Sequence, residues 1–256
     1  MKNRPGVELA SLTDVGCKRE NNEDSYAYWE PANDADFAEL GRLAIVADGM
    51  GGHEGGQIAS RLAVEAFTKA YADTTDSDPQ KRLLTALKDA HLRIQQRAKQ
   101  DAHLSSMGTT CTALALIDTR LYFVHVGDSR LYLLREGKLQ ILSRDHTLIA
   151  RLLEKKLVRS DQVQDHPQKH VLTSALGVSD DEIEVDAPPE PLLLHKGDIL
   201  MICTDGLWGQ MDSREMEQTL ASQSPESACR ALVQLAKDRG GPDNITLQVL
   251  RIVNPS

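Results

Sequence analysis

The 256-residue sequence is poor in aromatic side chains, at 4%, and holds only four cysteines. Cys17, Cys111, Cys203 and Cys229 are scattered and form no CxxC pair. That argues against a zinc site and a disulfide framework, and it suits a reducing cytoplasm. No segment approaches the roughly 18 uninterrupted apolar residues of a membrane span. The opening residues, MKNRPGVELA, contain no apolar stretch of signal-peptide length, so a cytoplasmic location is expected. Lys and Arg never gather into a run, and the net charge is −9. A chain with neither a basic nor an aromatic track is poorly suited to nucleic acid as its main partner.

What is present is a set of aspartates in unusual places. Asp48 ends the apolar run LAIVADG, Asp205 ends ILMICTDG, and Asp243 opens the last run in GGPDNITLQVL. An unpaired carboxylate costs several kcal/mol to bury, so buried strands rarely finish on one. Three such endings point to carboxylates that converge and are neutralised together, most simply by divalent metal ions.

Strand-like runs cover Leu43 to Ala47, Thr109 to Ile117, Leu121 to Val126, Ile199 to Cys203 and Ile245 to Ile252. Leu131 to Leu134 and Leu139 to Leu142 flank Arg135-Glu136-Gly137-Lys138, a hairpin pattern. Two helices fall between the first two runs. One spans about Gln57 to Ala72, and the other starts at the N-cap Asp78 with Pro79 at its first position. Two more are expected over Ser213 to Ser222 and Pro225 to Arg239. Grouped strands with paired helices between them are not the strand–helix alternation of a doubly wound fold. They predict one α+β domain over 1–256, with two packed sheets covered by helix pairs. The stretch from about Asp145 to Val171 has no strand pattern and reads as a flap around a short helix, Leu148 to Leu157.

The glycine-rich segment Asp48-Gly49-Met50-Gly51-Gly52-His53-Glu54-Gly55-Gly56 opens a helix but lacks both the GK[ST] ending of a P-loop and GxGxxG spacing. It fits better as backbone brought close to a metal, with the Gly49 carbonyl beside Asp48. With RENNED (Arg19 to Asp24), MGTT (Met107 to Thr110), VGDSRLYL (Val126 to Leu133), LSRDHT (Leu142 to Thr147), LTSALG (Leu172 to Gly177), ICTDGLWGQM (Ile202 to Met211) and GGPDNITLQV, in this order, the chain resembles the metal-dependent protein phosphatases of type 2C in their bacterial form.

The resemblance implies a four-layer α-β-β-α sandwich, with two central antiparallel sheets flanked by helix pairs. It implies hydrolysis of phosphoserine and phosphothreonine on proteins by a metal-bridging hydroxide, with Mn²⁺ or Mg²⁺ as cofactor. Asp48 would bridge two ions, Asp205 and Asp243 would complete one ion's ligands, and the Gly49 carbonyl would bind the other. Glu23 and Asp24 would hold metal-bound waters, Arg19 would grip the substrate phosphate, and Asp128 with Asp205 matches a third metal position. Such an enzyme would act as a monomer on phosphorylated proteins, opposing a Ser/Thr kinase. Hard oxygen ligands of this kind suit Mg²⁺ or Mn²⁺, and an Arg fork suits a phosphate. No cysteine stands in a CxxxxxR loop, which argues against the cysteine phosphatases.

Blander roles stand beside these. Arg19 could be a surface charge, Asp128 a turn residue, and Asp145 a turn residue or a partner of a ligand. Ser129 and Thr109 are expected to shape turns, and His125 to be a satisfied core residue. Trp208 and Met211 should pack under the Asp205 turn. Two departures from the family pattern matter. Met50 stands where eukaryotic members have a histidine, which leaves the leaving-group acid open, and Ser174 stands where the related LTRALG pattern has Arg. The rival functions are a catalytically silent phosphoprotein-binding module on the same fold and another two-metal phosphoesterase such as a nuclease.

Overall fold

Each central apolar run is a strand whose two faces meet different layers. A computed structural model describes residues 4–51, 54–159, 162, 166–178 and 183–254. Its strands are β1 (Val7–Asp14), β2 (Asp24–Trp29), β3 (Arg42–Met50), β4 (Gly108–Thr109), β5 (Cys111–Ile117), β6 (Arg120–Val126), β7 (Arg130–Arg135), β8 (Lys138–Ile141), β9 (Leu192–Leu193), β10 (Ile199–Cys203) and β11 (Ile245–Ile252). Its α-helices are α1 (Asp34–Leu40), α2 (Gly55–Asp73), α3 (Pro79–Gln100), α4 (Leu148–Glu154), α5 (Asp205–Trp208), α6 (Ser213–Ser222) and α7 (Pro225–Asp238).

One antiparallel sheet has the order β1-β11-β10-β7-β8, the other β2-β3-β5-β6-β9, with β4 extending the end of β3. Side chains alternate between the faces of a strand. On β3, Leu43, Ile45 and Ala47 meet α2 and α3, whereas Ala44 and Val46 face the opposite sheet. On β10, Ile199, Met201 and Cys203 meet the α6–α7 side, whereas Leu200 and Ile202 face the centre. Three stacked cores therefore separate four layers, α-β-β-α, as the sequence pattern predicts. The expected helices form, with Asp78 accepting hydrogen bonds from the Gln80 and Lys81 amides at the start of α3. The flap helix is shorter than expected and ends at Glu154.

The sequence pattern gives no sign of β1, β2, α1 or β9. Strands β1 and β2 are the outer strands of their sheets, and their sequences VELASLTD and DSYAYW mix polar with apolar residues. Together β1 and β2 carry the intervening loop across the ends of β3 and β11.

Candidate active site

All the candidate residues gather at one end of the two sheets. Asp48 and Gly49 lie near the C-terminal end of strand β3, Asp128 in the β6–β7 turn, and Asp205 at the start of α5, just after β10. Asp243 precedes β11, and the β1–β2 loop brings Arg19 and Glu23. Arg19, Glu23, Asp48, Gly49, Asp128, Asp205 and Asp243 line one cavity of about 480 Å³, together with Met50, Thr110, His170 and Leu172. Asp24 lies behind this lining, opposite Asp48 in the β2–β3 register.

Neighbouring groups hold each position. The Asp48 amide donates to Thr110 Oγ1 (2.9 Å), and the Asp48 carbonyl accepts from Thr109 Oγ1 (2.8 Å) and the Thr110 amide (2.9 Å). Ser129 Oγ pairs with Thr110 Oγ1 at 2.8 Å. Thr109 and Ser129 thus serve the backbone, as expected. The β6–β7 turn is tied by two histidines. His125 Nε2 donates to the Gly127 carbonyl (3.0 Å) and its Nδ1 accepts from Thr112 Oγ1 (2.8 Å), while the Gly127 amide donates to His146 Nδ1 (3.2 Å). His125 is a satisfied core residue, with burial first and His146 second pushing its pKa down to about 3.

Trp208 Nε1 donates to the Asp128 carbonyl at 2.9 Å, which joins the start of α5 to that turn. Arg130 lies over the Trp208 ring and pairs with both Asp145 oxygens, so Asp145 orients the frame and does not face the cavity. A Cβ at Gly49 would come within 2.1 Å of the Gly56 carbonyl, so only bare backbone fits there.

The loop bearing Arg19 and Glu23 is fastened by Asn244. Its Nδ2 donates to the carbonyls of Val15 (3.0 Å) and Asn21 (2.9 Å), and its Oδ1 accepts from the Glu23 amide (2.8 Å). No sequence motif other than its place after Asp243 marks Asn244. Nothing in the sequence marks His170, which lies within the charged flap. Ser174 is occupied by the Glu184 backbone and does not line the cavity. His53 lies outside the described residues.

The electrostatics show an excess of negative charge. Burial, then Asp24, Asp205, Asp128 and Asp243, hold the Asp48 carboxyl well above its ordinary pKa. Burial followed by Asp205 and Asp145 does the same to Asp128. Asp24 is pushed up to about 7, first by burial and then by Asp205 and Asp243, against hydrogen bonds from Thr246 and Thr204. Glu23 is raised by burial and Asp243, although Arg19 opposes this.

Few basic side chains stand on the cavity wall among the described residues. Arg19 Nη2 meets Asp243 Oδ2 at 2.8 Å, and His170 Nδ1 lies 3.1 Å from Asp205 Oδ2. Asp24 Oδ1 is buried with no hydrogen-bond partner. Buried like charges, an orphaned carboxylate oxygen and a bare backbone segment form a hard-oxygen donor set, which fits divalent cations such as Mg²⁺ or Mn²⁺.

Comparison with known proteins agrees with this reading. The protein phosphatase 2C family model matches residues 18–240. Protein phosphatase PhpP of Streptococcus pneumoniae is 35% identical over 249 residues, spanning 95% of this chain and 97% of PhpP. The structure of the S. agalactiae serine/threonine phosphatase superposes with a TM-score of 0.87 at 31% identity, covering 96% of this chain and 99% of that one. The catalytic domain of the serine/threonine protein phosphatase PstP, solved in complex with two manganese ions, superposes with a TM-score of 0.82 at 29% identity, covering 97% and 99%. The motif order, the paired sheets, the convergent carboxylates and these matches agree: the chain belongs to the protein phosphatase 2C family.

Proposed function

We propose that the cavity is the active site of a metal-dependent protein phosphatase, which releases inorganic phosphate from phosphoserine and phosphothreonine side chains of proteins. One observation carries this reading most directly. Carboxylates from separate strand ends converge here, Asp24 and Asp128 buried and Asp48, Asp205 and Asp243 half-buried, without enough positive charge among the described residues to balance them.

Asp48, Asp205, Asp243 and the Gly49 carbonyl would hold two Mn²⁺ or Mg²⁺ ions, with Glu23 and Asp24 reaching ion-bound waters and Asp128 contributing to a third position. The PstP neighbour with its two manganese ions supports this choice of cofactor. When bound, such ions supply Lewis acidity and a water nucleophile at neutral pH.

The chain's own groups do the positioning. Arg19 gives one N–H to Asp243 and keeps its remaining donors for phosphate oxygens, at a half-exposed site that substrate can reach. Asn244 fixes the loop that carries Arg19, so the phosphate and Asp243 are brought into register by one side chain. Thr109 and Thr110 lock the Asp48 backbone, which limits reorganisation as charge develops. Water oxygen bonds to phosphorus as the bond from phosphorus to the Ser or Thr oxygen breaks. Met50 lines the cavity without a proton to give, so the departing oxygen takes its proton from water.

We further propose that 1–256 acts as one catalytic domain. The antiparallel pairing of β1 with β11, which joins the two ends of the chain, supports this. Among the described residues no helix is long and apolar enough to cross a membrane. Cytoplasmic action as a monomer, on proteins phosphorylated by a Ser/Thr kinase, completes the proposal and rests on resemblance to the bacterial family members.

The test is hydrolysis of a phosphothreonine peptide with added Mn²⁺. Activity should appear, vanish with chelator, and be abolished in Asp48→Asn while that variant stays folded by circular dichroism. Full activity in Asp48→Asn overturns the assignment, and an inactive wild type that still binds the peptide would make the protein a silent phosphoprotein-binding module.

A further inference from the structure

We propose that His170 supplies a nitrogen ligand to a third divalent-cation position shared with Asp128 and Asp205, and that this position therefore favours Mn²⁺ over Mg²⁺. The inference rests on the proposed function above and adds a ligand that neither the motifs nor the family resemblance assigns. Ligand atoms of the three residues all lie within 4.8 Å of one another. Ligands about 2.1 Å from a common six-coordinate ion stand about 3 Å apart when adjacent and just over 4 Å apart when opposite. A separation of up to 4.8 Å is slightly wider than that span, so small side-chain rotations would bring the three onto a single ion.

The three positions belong to one connected frame. The Asp128 carbonyl accepts from Trp208 Nε1, and Trp208 stands one helical turn beyond Asp205 in α5. The Gly127 carbonyl accepts from the His146 amide (2.7 Å), and the His146 carbonyl accepts from the Thr173 amide (2.8 Å). The Val171 carbonyl accepts from the Leu148 amide at 2.8 Å. These bonds fasten the backbone on the C-terminal side of His170 to the segment that also holds the Asp128 turn. His170 Nδ1 reaches Asp205 Oδ2 at 3.1 Å.

Asp128 itself is 5% exposed, and no side chain among the described residues hydrogen-bonds to its carboxylate. Among those residues only a backbone amide, its own, supports the charge by hydrogen bonding, and Asp128 lies across the site from His170, which is open to solvent. An ion could thus enter from the flap side and keep part of its water shell. The donors proposed for the other two ions are all oxygen. Imidazole nitrogen suits a first-row transition ion, whereas Mg²⁺ prefers carboxylate and water. The third position would then respond to the kind of ion present, and its occupancy would hold the end of the flap against the catalytic cavity.

The experiment is a Mn²⁺ titration of the full chain followed by electron paramagnetic resonance, with spin-echo detection of ¹⁴N coupling. Wild type should bind two ions tightly and a third more weakly, with ¹⁴N modulation growing in as the third binds. His170→Ala should retain the two tight ions, bind the weak one about tenfold or more less tightly, and lose the modulation. Mg²⁺ should displace the weak Mn²⁺ far more readily from His170→Ala than from wild type.

Unchanged weak-ion affinity, persistent modulation in His170→Ala, or a wild type that binds only two ions overturns the proposal. Asp48→Asn separates the possible failures. If it loses the tight ions while His170→Ala changes nothing, only the third position falls. If it keeps the tight ions, the assignment of the core is wrong.

Discussion

At the scale of single residues, the site divides into groups that could be read from the sequence and groups that could not. Asp48, Asp205 and Asp243 were legible because a bare carboxylate at the end of an apolar run breaks the ordinary rule of burial. Arg19, Glu23 and Asp128 needed the whole motif order. The roles of Asn244 and Thr110, although both lie within the motif runs, and of His170 were hidden, since polar residues look like ordinary turn or strand formers until their partners are known. Asn244 makes the most specific prediction of these. It is 4% exposed and spends both ends of its amide on Val15, Asn21 and the Glu23 amide. Asn244→Ala removes three hydrogen bonds and leaves two carbonyls and an amide to find water. A loss of about 2–3 kcal/mol in urea denaturation is expected. Because the freed loop carries Arg19, KM for phosphopeptide should rise more than kcat falls. A stability loss below about 0.5 kcal/mol with unchanged KM would mean that the loop holds itself.

At the scale of elements, the β7–β8 hairpin shows a local choice at odds with its backbone. Glu136 and Gly137 occupy the two central turn positions with φ of 51° and 73°. Two residues of positive φ make the turn whose twist matches the strands, and Asn-Gly is its preferred sequence. Gly137 is at ease there, but Glu136 pays for a left-handed conformation that Asn adopts readily. Glu136→Asn should therefore stabilise the protein by about 0.5–1 kcal/mol without altering Mn²⁺-dependent activity, since the hairpin does not line the cavity. A destabilised variant would show that the Glu136 side chain has a role of its own. The central strands were readable because each face of β3, β5 and β10 meets a core, so their sequences are dominated by apolar residues, whereas the hairpin was readable from its turn. The edge strands β1 and β2 escaped the pattern because one side of an outer strand has no neighbour, and polar residues are tolerated along it.

At the scale of the whole molecule, the site sets catalytic charge against folding, and pH separates the two. Burial, with neighbouring carboxylates, raises Asp24 to about 7 and holds Asp48 and Asp128 well above the usual range. A carboxyl raised in the folded state binds more protons there than in the unfolded chain. Without metal, its contribution to stability therefore falls as pH rises from its unfolded value towards its folded one. Histidines work in the opposite sense. Burial lowers His125 to about 3 and also lowers His146, so their contribution is complete above about pH 6.5 and is lost as pH falls below it. In chelator the carboxyl loss begins at about pH 4 and opposes the histidine gain up to about pH 6.5; above that the histidine gain is complete, and the carboxyl loss alone remains as an alkaline limb in which Tm falls with rising pH. Saturating Mn²⁺ binds the deprotonated carboxylates of the folded state alone, so it should raise Tm and abolish the fall between pH 6.5 and 8. The histidine gain does not depend on metal and should persist in both conditions. Thermal melts across pH with chelator and with Mn²⁺ would check this. An identical alkaline limb in both would mean that the carboxylate cluster does not take up the ion, whereas an alkaline limb that vanishes in metal-free Asp48→Asn would trace the strain to that single bridge position.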